Sequence, residues 1–217
     1  INSGRTPFFE PGLDTLLRRV IAQKRFTASV DFSRSVTASD TTIVAVGTPT
    51  VHGSIDLTQV KDAVALVGEA LFKKHSYHVV VIKSTVVPGT TESVVWPILV
   101  DASGKSAKEM GLCMNPEFLR EGNAVEDALH PDRIVIGSND KKSALVYAKL
   151  FTKYTCPKFF TNLPTAEMSK YVSNVVLATL VSFSNEIGAL VAQIPGVDVT
   201  SIWQTIHADG RWSPRVG

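Results

Sequence analysis

The chain is poor in the residues that would mark several large functional classes. It has 2 cysteines in 217 residues, Cys113 and Cys156, and they fit no C-x-x-C or Cys/His spacing, which excludes a zinc ribbon and a disulfide framework. Each lies in a strand-like run, where a buried structural thiol is expected. The 5 histidines, His52, His75, His78, His130 and His207, pair with no Asp, Glu or Cys at metal-ligand or hydrolase-triad spacing, so no metal is expected and each is read as a surface or loop residue. Excess charge is missing as well. The balance of 22 basic and 20 acidic residues leaves a net charge of +2, spread without runs, and no basic stripe for nucleic acid or anionic lipid. The longest strongly apolar run, Val175 to Phe183, is interrupted by Thr179 and Ser182 and is too short for a bilayer, and no charged-then-apolar leader opens the chain. These absences make a cytoplasmic chain with neither a nucleic-acid nor a membrane partner the expectation. Internal repeats, low-complexity tracts and linkers are also lacking.

What is present is core material. At 44% hydrophobic the chain can bury a sizeable interior, and the apolar residues fall into an alternating pattern. Leu13, Leu16, Leu17, Val20 and Ile21 recur at helical spacing, with Asp14 early and Arg18 and Arg19 late. Residues 26–30 read as a short strand, 31–35 as a turn or short helix, and 41–46 as a buried strand. A helix follows from Asp56 to about Lys74, then a strand at 77–82. Residues 88–100 have helical character, although Pro97 is expected to end or kink the helix. A strand at 111–114, a loop carrying Asp127 and His130, a strand at 133–136, a helix at 140–153 and a strand at 158–161 complete the series. Strands alternating with helices make a doubly wound α/β domain, with the loops that follow its strands gathered along one edge. Val46-Gly47-Thr48, Lys83-Ser84-Thr85 and Asn115-Pro116-Glu117 each follow a strand and are expected to converge on one crevice.

From Thr165 to about Gln193 the pattern becomes one helix, opened by Pro164 and closed by Pro195-Gly196. At 1.5 Å per residue it is roughly 43 Å long. Around Val175 to Phe183 it is apolar on nearly all sides, which calls for burial between domains or subunits. Lys170 and Asn174, four apart, project from one face of its first half. Residues 197–206 form a shorter second helix.

The stretch Asn115-Pro116-Glu117-Phe118-Leu119-Arg120-Glu121-Gly122 delivers two glutamates at the end of a strand, either as a helix opening or as site carboxylates. Followed by Pro131-Asp132-Arg133-Ile134-Val135-Ile136-Gly137, it resembles the nucleotide-sugar dehydrogenase family. Four further blocks fall in that family's order and spacing: Glu10-Pro11-Gly12-Leu13, Val46-Gly47-Thr48-Pro49-Thr50, Lys83-Ser84-Thr85-Val86, and Glu167-Met168-Ser169-Lys170 through Asn174.

The resemblance implies a Rossmann-like parallel sheet lacking its first βα unit over residues 1–162, the remainder of an NAD-binding domain. Residues 163–217 would then be the long central helix and the start of a helical domain through which such enzymes form homodimers. It implies NAD as cofactor and a UDP-hexose substrate, UDP-glucose being favoured, whose C6 alcohol is oxidised to the acid in two hydride transfers through a cysteine thioester. The Asn115 to Gly122 motif is shared with GDP-mannose dehydrogenases, and another UDP-hexose is the further alternative. By resemblance, Glu117 activates water with Thr85 as hydroxyl partner, while Lys170 and Asn174 support the oxyanion at C6. Val46, Gly47, Thr48, Pro49, Thr50, Ser84, Thr85 and Glu121 would line NAD. Glu117, Phe118, Leu119, Arg120, Glu121, Lys170, Asn174 and Arg211 would contact the sugar nucleotide, Arg211 reaching the neighbouring subunit. The family's glycine-rich turn is expected before Ile1 and its cysteine loop after Gly217, so these residues alone are not expected to turn over substrate. The alternative from another class is a non-catalytic nucleotide-binding or dimerisation module.

Overall fold

The structure, a computed structural model, describes residues 1–210. The chain divides into two compact units, the first ending at Lys170 and the second beginning at Tyr171. The strands are β1 (Thr41–Val44), β2 (Thr50–Val51), β3 (Ser54–Ile55), β4 (His78–Ile82), β5 (Met110–Met114), β6 (Ile134–Ser138) and β7 (Lys158–Thr161). The helices are α1 (Leu13–Ala22), α2 (Phe32–Ala38), α3 (Thr58–Phe72), α4 (Trp96–Ser103), α5 (Ala124–Leu129), α6 (Lys141–Ala148), α7 (Leu163–Val191) and α8 (Val199–His207).

Continuous apolar runs put β4 and β5 at the centre, every residue of both being buried. The main sheet has the order β1-β4-β5-β6-β7, and β2 and β3 form a separate hairpin. Strand alternation divides the core between two faces. Val80, Ile82, Leu112, Met114 and Val135 pack with Val60, Val64, Val67 and Leu71 of α3 and Leu99 of α4. Val79, Val81, Cys113, Ile134 and Ile136 pack with Ala144 and Tyr147 of α6. Each such fully buried side chain stabilises the fold by about 1.5–3 kcal/mol. Helix α6 lies so close to β5 that a Cβ at Gly111 would stand 2.8 Å from the Ser143 Cβ, which only glycine avoids.

The sheet is mostly parallel, with one reversal. Strands β1, β4 and β5 run parallel, β6 is antiparallel to β5, and β7 is parallel to β6. The expectation that all the loops after strands share one edge therefore holds for β1, β4 and β5 but not for β6 and β7. The β5-to-β6 connection carries only the short α5 and returns at the edge instead of crossing a face.

Four local expectations are also corrected. Residues 26–30 form no strand, because the Asn2 side chain takes both the N–H and the C=O of Ala28, each at 2.8 Å. Only Val44 of β1 is buried, since β1 is the sheet's edge and pairs on one side, with β4. Pro97 does not end its helix. A π-helical turn, Thr91–Val95, precedes it, the N–H of Trp96 bonding to Thr91 O five residues back, and the widened turn lets the proline ring into the first turn of α4. The segment around Asp127 is helical, in α5, and Glu10 caps it from far away in sequence by accepting the N–H of Ala124 at 2.8 Å.

The second unit contains the greater part of α7, and α8. Helix α7 has 29 residues and starts two residues earlier than the sequence pattern suggests. Asp198 caps α8 by accepting the N–H groups of Thr200 and Ser201, and Phe183 meets Trp203 edge-on at 6.4 Å. By length and composition α7 is apolar enough to cross a bilayer, contrary to the reading of residues 175–183 alone. Val175, Leu177, Leu180, Val181 and Phe183 are all exposed.

Candidate active site

Three loops leave the carboxyl ends of β1, β4 and β5 and are tied to one another. Ser84 Oγ donates to Val46 O at 2.7 Å and Thr48 Oγ1 donates to Thr85 O at 2.8 Å, joining the first loop to the second. Lys83 Nζ donates to Asn115 Oδ1 at 3.0 Å, and the N–H of Asn115 bonds to Ile82 O at 2.9 Å, joining the second to the third. Asn115 is the buried node. Its Oδ1 also accepts Tyr147 Oη at 2.8 Å, and its Nδ2 donates to Val135 O at 2.8 Å. Two donors on one amide oxygen and an acceptor on the nitrogen settle the amide's orientation. The chain is thereby held rigid just where Pro116 and Glu117 begin.

At the mouth of this crevice Lys170 Nζ stands 2.6 Å from Glu117 Oε1. Lys170, near the start of α7, is only 7% exposed, so its charge is largely withdrawn from water. The other oxygen of Glu117, Oε2, accepts the N–H of Leu119 at 2.6 Å. Phe118 lies under Arg133, whose Cζ is 3.9 Å from the ring centroid, with Lys170 Nζ 5.8 Å from the same centroid. Lys83 is the second ammonium here. Burial pushes its pKa below the ordinary lysine value, the Glu117 carboxylate opposes that shift and Lys170 adds to it. Two ammonium groups against one carboxylate leave the crevice with surplus positive charge.

The predicted residues thus divide. Val46, Gly47, Thr48, Ser84, Thr85, Glu117, Phe118 and Lys170 are brought together. The hydroxyls of Thr48 and Ser84 brace backbone carbonyls, whereas the Thr85 hydroxyl has no protein partner among the described residues. Pro49 and Thr50 are exposed where the first loop enters the β2–β3 hairpin, and Leu119 and Glu121 are exposed on the third. Arg120 is engaged elsewhere. Its Nε and Nη2 both donate to Asp127, which also accepts the Arg120 N–H, and this raises the pKa of Arg120 and lowers that of Asp127. Asn174 is one helical turn beyond Lys170, exposed, and belongs to the second unit. Arg211 lies outside the described residues. Among the described residues no group of three or more His, Cys, Asp or Glu could hold a metal ion. A depression of about 320 Å³ lined by Thr6, Phe8, Phe9 and Glu10 includes none of the crevice residues.

Sequence reasoning missed Lys83 and Glu167, and it gave Glu10 no role. All three stand in the motifs quoted above, but their partners are distant in sequence. Glu10 accepts the N–H groups of Gly122 and Ala124, and Glu167 those of Gly89 and Thr91. Carboxylates reaching backbone amides on other elements leave no spacing signature.

A doubly wound α/β unit with an open polar crevice at the carboxyl ends of its parallel strands is the architecture of dinucleotide-binding dehydrogenase domains. The particular membership follows from direct comparison. Residues 1–155 match the NAD-binding domain of the UDP-glucose/GDP-mannose dehydrogenase family and residues 164–216 match its central domain, so the chain belongs to that family. It is 39% identical over 211 residues to GDP-mannose 6-dehydrogenase of Pseudomonas syringae pv. tomato, covering 96% of this chain and 48% of that protein. It is equally 39% identical over 218 residues to a UDP-glucose 6-dehydrogenase of Haloferax volcanii, covering 97% and 50%. The crystal structure of a ternary complex of GDP-mannose dehydrogenase from Pseudomonas aeruginosa superposes with a TM-score of 0.91 at 36% identity, over 97% of this chain and 48% of that one. The chain spans about half the length of these relatives.

Members of the family are NAD-dependent dehydrogenases, and NAD is the cofactor of the matched domain. The crevice fits a dinucleotide on its own chemistry. Gly47 is exposed, and the atoms nearest to where a Cβ would stand are those of the flexible Gln59 side chain, at 3.4 Å and beyond, so ligand can approach the backbone closely. The loops are cross-linked by hydrogen bonds, and the Thr85 hydroxyl has no protein partner among the described residues.

Proposed function

We propose that the chain is the NAD-binding and central portion of a nucleotide-sugar dehydrogenase that oxidises the C6 alcohol of a UDP-hexose, UDP-glucose foremost, to the carboxylate. Residues 1–162 are read as the remainder of the NAD-binding domain and residues 163–217 as the central helix and the start of a helical dimerisation domain. The observation that carries the reading is the Lys170–Glu117 pair on the loop that leaves the carboxyl end of β5.

When bound, NAD supplies hydride acceptance. Thr85 orients the reacting end of the site, with Val46 to Thr50, Ser84 and Glu121 lining the cofactor. Phe118 and Leu119 border the sugar. As C6 becomes tetrahedral, Lys170 and Asn174 donate to its oxygen, and the surplus charge from Lys83 favours that anion. Glu117 accepts a proton from the water that releases the acid from a cysteine thioester. Two hydrides and three protons leave and one water enters, which balances conversion of alcohol to carboxylate. Arg211 is assigned to a sugar nucleotide in the neighbouring subunit of a cytoplasmic homodimer.

GDP-mannose is the second reading, supported by relatives of equal identity. Titration calorimetry of the intact dehydrogenase with NAD, UDP-glucose and GDP-mannose ranks the ligands, and absence of binding by all three removes the proposal. NAD binding without either sugar nucleotide would favour a nucleotide-binding module. In the intact dehydrogenase, Glu117→Gln is expected to slow turnover and let a covalent sugar adduct accumulate. Normal turnover with no adduct on intact-mass spectrometry removes the role given to Glu117.

A further inference from the structure

Glu167 is the one fully buried acid among the described residues, and no cation pairs with it. It lies on α7, three residues before Lys170 and therefore on the same helical face. Its Oε1 accepts the N–H of Thr91 at 2.7 Å, and its Oε2 accepts the N–H of Gly89. These amides open the helical segment that follows β4, where the unpaired N–H groups and the helix dipole favour negative charge. In a doubly wound domain such a terminus can receive a ligand phosphate, but here it is filled from within the protein.

The geometry around this contact is specific. Gly89 has φ of +92°, a conformation available essentially to glycine, and the turn presents its N–H to the carboxylate. At the start of α7, a Cβ at Gly137 would stand 2.6 Å from the Ala166 Cβ and 2.7 Å from Asn162 O, so the helix start is pressed against β6. Two amide donors need two acceptor oxygens, which a carboxylate has and a carboxamide lacks. Only Val86, Val87 and Pro88 separate Gly89 from Thr85 along the second crevice loop. One buried carboxylate thus ties the loop carrying Thr85 to the helix carrying Lys170.

We infer that Glu167 is the positioning residue that sets Lys170 against Glu117 and Thr85. Being wholly buried, it touches no substrate and acts through the placement of the helix start. The inference rests on the reading of Lys170 and Thr85 as residues of the reacting centre, where a displacement of about 1 Å costs about 100-fold in rate.

Amine acylation of the substrate-free chain, quantified residue by residue by mass spectrometry, tests it. Lys170, Lys74 and Lys105 are 7%, 7% and 8% exposed, so the last two report general loosening of the fold. Glu167→Gln is expected to raise acylation of Lys170 about tenfold through local opening of the helix start, with Lys74 and Lys105 within about twofold of their original rates. Glu167→Asp keeps the charge at the helix terminus but withdraws it by one methylene, and it is expected to give a smaller rise with the same selectivity. Unchanged protection of Lys170 in both variants, or a rise shared by all three lysines, overturns the inference. Because no cofactor or sugar is present, either result is independent of whether the chain binds UDP-glucose.

Discussion

Lys170 on α7 and Glu117 after β5 meet at 2.6 Å, joining two segments far apart in sequence. Lys170 is nearly sealed from solvent, whereas the Glu117 side chain keeps 29% of its exposure. The pair therefore presents a carboxylate to the crevice from a buried cationic support.

Breaking that pair from either side should cost stability. Lys170→Met leaves Glu117 without its charged donor, and Glu117→Gln leaves a buried ammonium without its anion. Each is expected to cost about 1–3 kcal/mol, and the double substitution less than the sum. Urea midpoints for the four proteins of the cycle give the coupling directly. A coupling energy of zero would show that the contact does not exist in solution.

His78 should give the folded state a distinct dependence on pH. It is fully buried, its Nδ1 donating to Ser39 O at 3.0 Å and its Nε2 accepting from Thr42 Oγ1 at 2.9 Å, so the ring is held neutral. Burial lowers its pKa from 6.5 to about 4, with the Lys74 charge adding to the shift. Between those values the unfolded chain binds a proton that the folded chain refuses. The stabilisation is present above about pH 6.5 and is lost as the pH falls to about 4, on the order of 2–3 kcal/mol in all. Denaturant titrations at intervals across that window should show the fall, and His78→Asn should flatten it. An equal slope in the variant would assign the effect to other groups.

The contrast between His78 and Glu117 shows what the sequence makes legible. Apolar runs at 78–82 and 110–114 announce buried central strands, and the loops after them hold site residues because the parallel sheet leaves them one edge to occupy. The Glu117 motif was readable because its residues are contiguous. Reversal of β6 was not, since nothing in residues 134–138 distinguishes a parallel from an antiparallel neighbour. Nor was the brace role of Glu10, Asp127 or Glu167, because each acts on backbone amides, which every residue type but proline supplies. The expectation of a surface or loop position is wrong for His78, which is fully buried in β4 between Ser39 and Thr42, because its chemistry depends on the pairing of β4 beside β1.

The two thiols should differ sharply in reactivity. Burial raises the Cys113 thiol to about 12, Asp140 adding to the effect, while Cys156 is partly exposed. Iodoacetamide at pH 8 is expected to modify Cys156 first and Cys113 only after unfolding. Peptide mapping of the native protein showing Cys113 alkylated as fast as Cys156 would contradict its place in the core.

Helix α7 supplies the last prediction, which concerns assembly. Val175 is 61% exposed, Leu177 58% and Leu180 45%, and these residues lie on more than one helical face. Burying a side chain of this size contributes about 1.5–3 kcal/mol, so several left in water forfeit an amount comparable to the stability of a domain. A bilayer would also cover them, but it would place Asn174, Ser182, Asn185 and Glu186 in hydrocarbon, where unpaired polar groups are costly. A second copy packed about a two-fold axis covers the same surface while leaving the polar positions at its wet rim. The chain is therefore expected to sediment as a dimer at micromolar concentration, and Leu180→Lys to shift it to monomer by placing a charge in the contact. Flotation with phosphatidylcholine vesicles separates the alternatives. A monomer in the unmodified protein, or its recovery with the vesicles, would rule out self-association as the means by which α7 is covered.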